Sequence, residues 1–402
     1  MTYVLHAPAR LPARAQTDRR LGDELKILHF AQNVAGGISS YFDEIAQHQV
    51  DRYGAGNVRF LMPRRDIRNL TCVPLECVEP FDPVGRDPLS LLRLARLAVR
   101  YSDEYRPDVV HLHSTFAGAV YRLALPFLKH RPKVIYCPHG WAFAREQPWL
   151  ASFIYARLEA LMMRMTDVCI NISQSEARLA AQYGVSLNRA ITVPNGISRR
   201  GAAATPSPAR QNGTIELLFV GRHDPQKGID ILLHAMSLVA NPAVRLTVVG
   251  APVVSNKRID LSAVPPSVTM LGPVTRDMVS ELMRACDAIV VPSRWEGFGL
   301  VVLEAMRVGR PVIVSPNGAL PDLVEEGRTG IVAPELTPEC LAGIIDSLSQ
   351  PGLARMGEAA ARRFLYLYTS DRMNADIDAI YEGLVPSRVP AGTRWGQAGA
   401  MA

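Results

Sequence analysis

The 402-residue chain contains no uninterrupted apolar run of the roughly eighteen residues that a membrane-spanning helix requires. Its first residues have neither the apolar stretch nor the small-residue cleavage site of a secretory signal. Both absences predict a cytoplasmic protein. Cysteine is sparse, and the six present (72, 77, 137, 169, 286 and 340) form no C-x-x-C pair. Cys72 and Cys77 are spaced poorly for a metal knuckle, so free buried thiols are expected. The G-x-G-x-x-G dinucleotide fingerprint is also missing, which argues against a nicotinamide enzyme. Basic residues are scattered and not interleaved with aromatics, which makes nucleic acid a poor fit as a partner.

What is present suits two domains of comparable size, each able to bury a core. The formal net charge of +6 divides unevenly. Residues 1 to 199 hold 25 Lys plus Arg against 18 Asp plus Glu (+7), and the remainder 19 against 20 (−1). The first half is therefore expected to meet something anionic, a phosphate-bearing acceptor or the inner leaflet of a membrane, unless its arginines are simply solvated. Arg93, Arg96 and Arg100, at helical spacing among leucines, are candidates for a peripheral membrane contact, or for an ordinary solvated helix face.

Residues 1–24, rich in Arg, Ala and Pro without periodicity, are expected to be a flexible leader. From residue 25 to 199, strands expected at 26–30, 58–62, 109–112, 134–137, 168–172 and 191–193 alternate with helical segments after Gly37 and at 89–105. Residues 200–213 have linker composition. A second alternating series fills 214–384, with strands expected at 215–220, 245–249, 268–271, 288–291, 312–314 and 330–332, followed by helices and a tail at 385–402. Such alternation predicts an α/β protein of two doubly wound, Rossmann-like parallel-sheet domains facing a cleft.

The most informative stretch is Ser293-Arg-Trp-Glu-Gly-Phe-Gly-Leu-Val-Val-Leu-Glu304, in which Glu296 and Glu304 flank a glycine-rich helix entry. The apolar run 288–291 reads as a buried strand and Gly299 onward as a helix. Glu296 then sits in a strand-to-helix loop, where the N–H groups near Phe298, Gly299 and Leu300 can hold a diphosphate. Glu304, about one turn inside the helix, can accept two hydrogen bonds from a ribose diol. Arg222 and Lys227, in the loop closed by Gly228, offer two cations to the same diphosphate. His223 and Asp224 beside them read as turn residues. Gly36-Gly37, between the first strand and helix, lets backbone approach a phosphate, and Ser39, Ser40 and Tyr41 can add hydroxyls. His139 follows a strand in Tyr136-Cys-Pro-His-Gly140. Trp295 can stack on a ring or pack beneath its loop.

The Glu-x7-Glu element, with 219–228, 193–197 and Gly36-Gly37 in order, resembles the retaining GT-B glycosyltransferases of family 4 over roughly residues 25 to 385. The resemblance implies transfer of a sugar from a nucleoside diphosphate carrier to an acceptor hydroxyl, without a metal or other cofactor. It implies catalytic roles for His139, Arg222, Lys227 and Glu296. Gly37, Arg222, Lys227, Glu296, Phe298, Gly299, Leu300 and Glu304 would bind the donor. Gly36 and His113 would lie on the acceptor side, with His111 structural. Asn317-Gly318 resembles the loop near the donor sugar, Asn195-Gly196 reads as an interdomain turn, and the helix near 371–381 is expected to cross back to the first domain. A glycan or lipid-linked acceptor of envelope polysaccharide synthesis follows from the same family.

Two other classes stay open at this point. A glycosidase needs paired carboxylates, and a sugar-nucleotide sensor needs the fold alone. A metal site of His111, His113 and His139 ranks below both. Asp376-Ile-Asp378 spells D-x-D in an apparent helix and reads as solvated surface.

Overall fold

The computed structural model describes residues 25–85, 87–144, 148–201, 213–251 and 264–385. The expected leader, most of the expected linker and nearly all of the tail lie outside the described residues.

The first unit runs β1 (Ile27–Ala31), α1 (Gly37–Tyr53), β2 (Val58–Pro63), β3 (Val78–Phe81), α2 (Pro88–Tyr105), β4 (Val109–His113), α3 (Thr115–Ala124), β5 (Lys133–Cys137), α4 (Trp149–Met162), β6 (Val168–Asn171), α5 (Gln174–Gln182) and β7 (Ala190–Thr192). Its strands form one parallel sheet in the order β3-β2-β1-β4-β5-β6-β7. The second unit runs β8 (Ile215–Val220), α6 (Ile229–Leu238), β9 (Val244–Val249), β10 (Val268–Gly272), α7 (Arg276–Ala285), β11 (Ala288–Val291), α8 (Leu300–Arg307) and β12 (Val312–Val314). It continues with α9 (Leu320–Leu323), β13 (Gly330–Val332), α10 (Pro338–Asp346), α11 (Gln350–Leu367) and α12 (Ser370–Leu384). Here the parallel order is β10-β9-β8-β11-β12-β13. The expected doubly wound architecture is therefore present in both halves.

Central strands are apolar on both faces because helices cover both. Ile27, Val109 and Ile135 pack towards α1, whereas Leu28, Val110 and Val134 pack with Leu94 of α2, Val120 of α3 and Ala156 of α4. The unanticipated β3 is a short edge strand containing Glu79 and Pro80, a composition that an edge tolerates and that hides it from a hydropathy reading.

Both strand orders reverse at one place, between β1 and β4 and between β8 and β11. Loops at the carboxyl ends of strands at such a reversal diverge and leave a crevice. The Gly36-Gly37, Arg222–Lys227 and Glu296 loops follow β1, β8 and β11, and His113 ends β4.

Helix α12 returns to the first unit, and Asp378 corrects the reading of 376–378 as solvated surface. Asp376 does pair with Arg372 on its own helix (2.7 Å). Asp378 is buried, accepting from Tyr53 Oη (2.7 Å) and His48 Nε2 (2.8 Å) and pairing with Arg52 (3.1 Å). Three donors on α1 compensate its burial, a tertiary fact with no local signal.

Gly228 and Gly343 make opposite predictions. Gly228 has φ +67°, and an added Cβ would sit 1.9 Å from the Pro292 carbonyl oxygen. Gly343 lies in α10 with nothing within 4 Å. In urea unfolding, Gly228→Ala should lose more than about 2 kcal/mol, whereas Gly343→Ala should gain about 0.5–1 kcal/mol.

Candidate active site

The loop after β11 is held by its backbone. Ser315 Oγ donates to the Ser293 carbonyl (2.5 Å), and Ala319 N–H to the Glu296 carbonyl (3.1 Å). Gly318 packs so closely on Glu296 that an added Cβ would lie 2.3 Å from that carbonyl oxygen. The Glu296 carboxylate accepts from Ser293 Oγ (3.0 Å) and forms an ion pair with Lys227. Lys227 reaches it because two loops are stitched together: Arg294 N–H donates to the Gln226 carbonyl (2.8 Å), Gln226 Nε2 to the Trp295 carbonyl (3.2 Å), and Arg294 binds Asp230 through two bonds of 2.8 and 2.7 Å. Asp224 caps the Lys227 turn, accepting from its N–H (3.2 Å), as the turn reading expects.

Arg222 is placed differently. Its side chain is exposed, bonded to Gln226 Oε1 (2.9 Å) and Asp224 Oδ2 (3.1 Å), with no contact to Glu296. Trp295 is 38% exposed, so part of its surface is open to solvent. Gly299 starts α8 at φ +95° with no side-chain cap, which leaves helix-entry amides for a ligand. Phe298 contributes only backbone, because its ring is buried against Tyr368 (6.4 Å between centroids). Glu304 is partly exposed and makes no hydrogen bond with the described residues. Desolvation raises its pKa, Arg307 and Arg276 oppose the rise, and Glu44 adds to it. Glu44 and Arg276 come from α1 and α7, and nothing in their local sequence marks them.

The two units meet where Gly297 faces Gly140: a Cβ on Gly297 would lie 3.7 Å from Gly140 Cα and 3.9 Å from the His139 carbonyl oxygen. Ser173 Oγ spans the same junction to the Gly297 carbonyl (3.3 Å). The histidine loop is bent, with φ +52° at His139 and +104° at Gly140. The buried Glu176 carboxylate holds the Gly140 N–H and the Ile172 N–H (2.8 Å), and burial pushes its pKa up to about 7. His139 and Glu296 therefore belong to one site built from both units.

His113 is a correction. It is fully buried, so it cannot line the acceptor side; it sits behind His139 in a hydrogen-bonded chain. His139 Nε2 contacts His113 Nδ1 (2.9 Å), His113 Nε2 contacts His29 Nδ1 (3.0 Å), and His29 Nε2 contacts Gln49 Oε1 (2.7 Å). An amide oxygen only accepts, so Gln49 makes His29 a donor at Nε2 and an acceptor at Nδ1. The same step then protonates Nε2 of His113 and of His139, leaving His139 Nδ1 as the acceptor. Burial holds His29 down to about 4 and His139 to about 3, and puts His111 and His113 well below their ordinary range. All four rings are neutral at pH 7. Gln49 Nε2 donates to Tyr381 Oη (3.3 Å), which in turn contacts His111 Nδ1 (2.8 Å).

The described histidines spaced to hold a metal are His29, His111 and His113, whose ligand atoms lie within 4.8 Å of one another. His139 is not among them. The set is wholly enclosed, with no carboxylate to balance a buried divalent charge, and the chain of hydrogen bonds accounts for its spacing. At the other loop, Gly36 has φ +60° and Gly37 is open enough for a ligand to approach. Ser39 Oγ is occupied by the Gly36 carbonyl (2.8 Å), and Tyr41 is buried edge-on against His139 (4.8 Å) with no partner for its hydroxyl.

Gln49→Leu should leave the His29 N–H unpaired, lower stability by about 1–3 kcal/mol and mix the His139 tautomers; Gln49→Glu should preserve the single tautomer. Histidine-selective 15N spectra read both. The histidines also set an acid limb. Their folded pKa values lie below the unfolded value of 6.5, so their stabilisation is present above pH 6.5 and is lost as pH falls towards 4 and 3. His111→Phe should reduce the slope of stability against pH in that window by about 1.4 kcal/mol per unit in urea titrations.

Two family models match, Glycosyltransferase Family 4 over residues 35–200 and Glycosyl transferases group 1 over 214–350. The chain is 31% identical to a glycogen synthase of Mycobacterium tuberculosis over 292 residues, covering 70% of this chain and 68% of that one. It is 28% identical over 319 residues to an uncharacterized 41.2 kDa protein in the cps region of Klebsiella pneumoniae, covering 77% and 86%. The fold resembles that of Anabaena Alr3699/HepE, solved in complex with UDP, with a TM-score of 0.72, 23% identity and coverage of 89% and 100%. With both sheets, the paired reversals and both family matches in agreement, the chain belongs to the group 1, family 4 glycosyltransferases of GT-B fold, and it is a transferase.

Proposed function

We propose that the protein transfers a sugar, with retention of anomeric configuration, from a nucleoside diphosphate sugar to an acceptor hydroxyl. The meeting of the Gly297 and Gly140 loops carries this reading, because it brings Lys227 and Glu296 of one unit to His139 of the other. Glu304, which makes no hydrogen bond with the described residues, accepts the ribose diol. Amides of Phe298, Gly299 and Leu300, with Arg222 and Lys227, take the diphosphate and stabilise the charge left as the glycosidic bond breaks. Gly37 admits the phosphates from the opposite side, with Gly36 towards the acceptor. His139 Nδ1 accepts from a sugar hydroxyl. Glu296, tied to Lys227 and Ser293, is poorly placed as a free nucleophile, which favours front-face displacement in which the leaving phosphate takes the acceptor proton. Two cations at the diphosphate make a metal unnecessary.

Uridine is the first base to test, because a solved relative holds UDP. A relative in a cps region supports a glycan or lipid-linked precursor of envelope polysaccharide as acceptor, reached from the cytoplasmic side. The glycosidase reading has no use for Lys227.

A thermal-shift screen of UDP, GDP, ADP and dTDP, with and without EDTA, tests the donor site. One nucleotide, expected to be UDP, should stabilise the protein in either condition and fail to stabilise Glu304→Ala. Stabilisation only with metal, or by none of the four, contradicts the reading. Lys227→Ala should lower donor turnover about 100-fold, equivalent to about 3 kcal/mol of barrier.

A further inference from the structure

Helix α4 is built inside out. Its buried side presents Ser152, Ala156, Glu159 and Met162 to the sheet, with Glu159 bonded to Arg122 (2.8 Å) and Tyr136 Oη (2.8 Å). Its outer side presents Trp149, Leu150, Phe153, Ile154, Leu158 and Leu161, each about half exposed or more, Trp149 at 77%. An ordinary surface helix has the reverse arrangement. The exposed stripe is larger than a soluble monomer normally leaves to water, on the order of several hundred Å².

The stripe does not stand alone. Helices α2, α3 and α4 pack on the same face of the first sheet, so their outer sides form one layer. In the last turn of α3 Leu123 is exposed, and just beyond it so is Phe127, one and five residues past the Arg122 that anchors Glu159. On α2, Leu89 and Leu92 are exposed on the side that carries Arg93, Arg96 and Arg100. Lys129, Arg131, Arg157 and Arg164 add positive charge around the apolar centre. Arg157 lies over the Phe153 ring (4.9 Å), its stem along the stripe. Of the described acids on this layer, Glu104 pairs with Arg100 (2.9 Å), while Asp87 and Asp103 accept backbone N–H bonds from Ser90 (3.0 Å) and Lys129 (2.9 Å) and keep their charge.

We infer that this layer docks on a lipid leaflet containing anionic headgroups, with the α4 stripe entering the acyl boundary and the arginines meeting the headgroups. The surface is a convex row of helices with a cationic rim, which fits an anionic plane. Among the described residues of this layer the basic side chains (Arg93, Arg96, Arg100, Lys129, Arg131, Arg157 and Arg164) outnumber the acids Asp87, Asp103 and Glu104, so two copies of the face would oppose like charge. No described helix is long and apolar enough to cross a membrane, so the contact is peripheral. Helix α4 begins ten residues after His139, on the carboxyl side of β5, so docking places the acceptor side of the cleft beside the leaflet. The leaflet contact stands on the α4 face itself and does not require the proposed donor chemistry.

Cosedimentation with vesicles of phosphatidylcholine, with and without phosphatidylglycerol, tests it. The wild type should sediment with the phosphatidylglycerol vesicles and much less with phosphatidylcholine alone. Leu150→Ser/Phe153→Ser/Leu158→Ser should bind at least tenfold more weakly while its thermal unfolding and its response to UDP stay as in the wild type. Arg93→Glu/Arg96→Glu should lose binding in the same assay. No sedimentation of the wild type, equal binding by the serine variant, or a wild-type dimer in light scattering that this variant abolishes would overturn the inference; the last would assign the face to a second copy. Because UDP is read in a separate assay, failure here leaves the donor-site reading standing, and the converse also holds.

Discussion

The return of α12 to α1 is the constraint on which the cleft depends. Asp378 takes bonds from Tyr53, His48 and Arg52, and Tyr381 bonds Gln49 and His111 inside the first unit. The second unit is thereby anchored to the first at its far end as well as through its chain connection. Both passages run side by side: Ile197 N–H donates to the Tyr368 carbonyl (3.0 Å) and Ser370 N–H to the Ile197 carbonyl (2.9 Å). Gly196 fits there because a Cβ would lie 2.2 Å from the Thr369 carbonyl oxygen. The anchor that joins the units is thus also the far end of the hydrogen-bonded chain that sets the His139 tautomer.

That coupling gives the site its electrostatic character. On one side the groups are neutral rings kept neutral by burial, and on the other they are fixed charges. Lys227 and Glu296 are paired with each other, while Glu304 is held in a partly dry environment with no hydrogen bond from the described residues, its charge favoured by Arg307 and Arg276. In the proposed reading, a ligand that offers a diol to Glu304 and negative charge to Lys227 and Arg222 meets cations already held in place by Glu296, Asp224 and Gln226. The same dryness makes acid damaging, since protons must be forced onto enclosed imidazoles.

Much of this was legible in the sequence, for physical reasons. Strands buried on both faces read as apolar runs, so 288–291 and 312–314 were visible, and the Glu-x7-Glu spacing placed both carboxylates about the entry to α8. The Lys227 loop was recognisable from its glycine and its cations. What stayed hidden depends on distant packing. The edge strand 78–81 lacks an apolar run, and Asp378 is buried only because α1 supplies its donors. His113, read from its strand-end position as lining the acceptor side, is covered by His29 and His139, whose residue numbers differ from its own by 84 and 26. The Gly140–Gly297 approach joins two domains and has no local mark. The outward apolar face of α4 is a failure of a different kind: periodicity shows an apolar helix and does not say which side faces the sheet.

A crystal structure of the protein grown with UDP tests the central claim most directly. The account predicts the ribose hydroxyls on Glu304 and the diphosphate within hydrogen-bond distance of Lys227 and the amides at residues 298–300, with His139 across the cleft. Nucleotide bound elsewhere, or in the cleft with Glu304 and Lys227 both untouched, would contradict it.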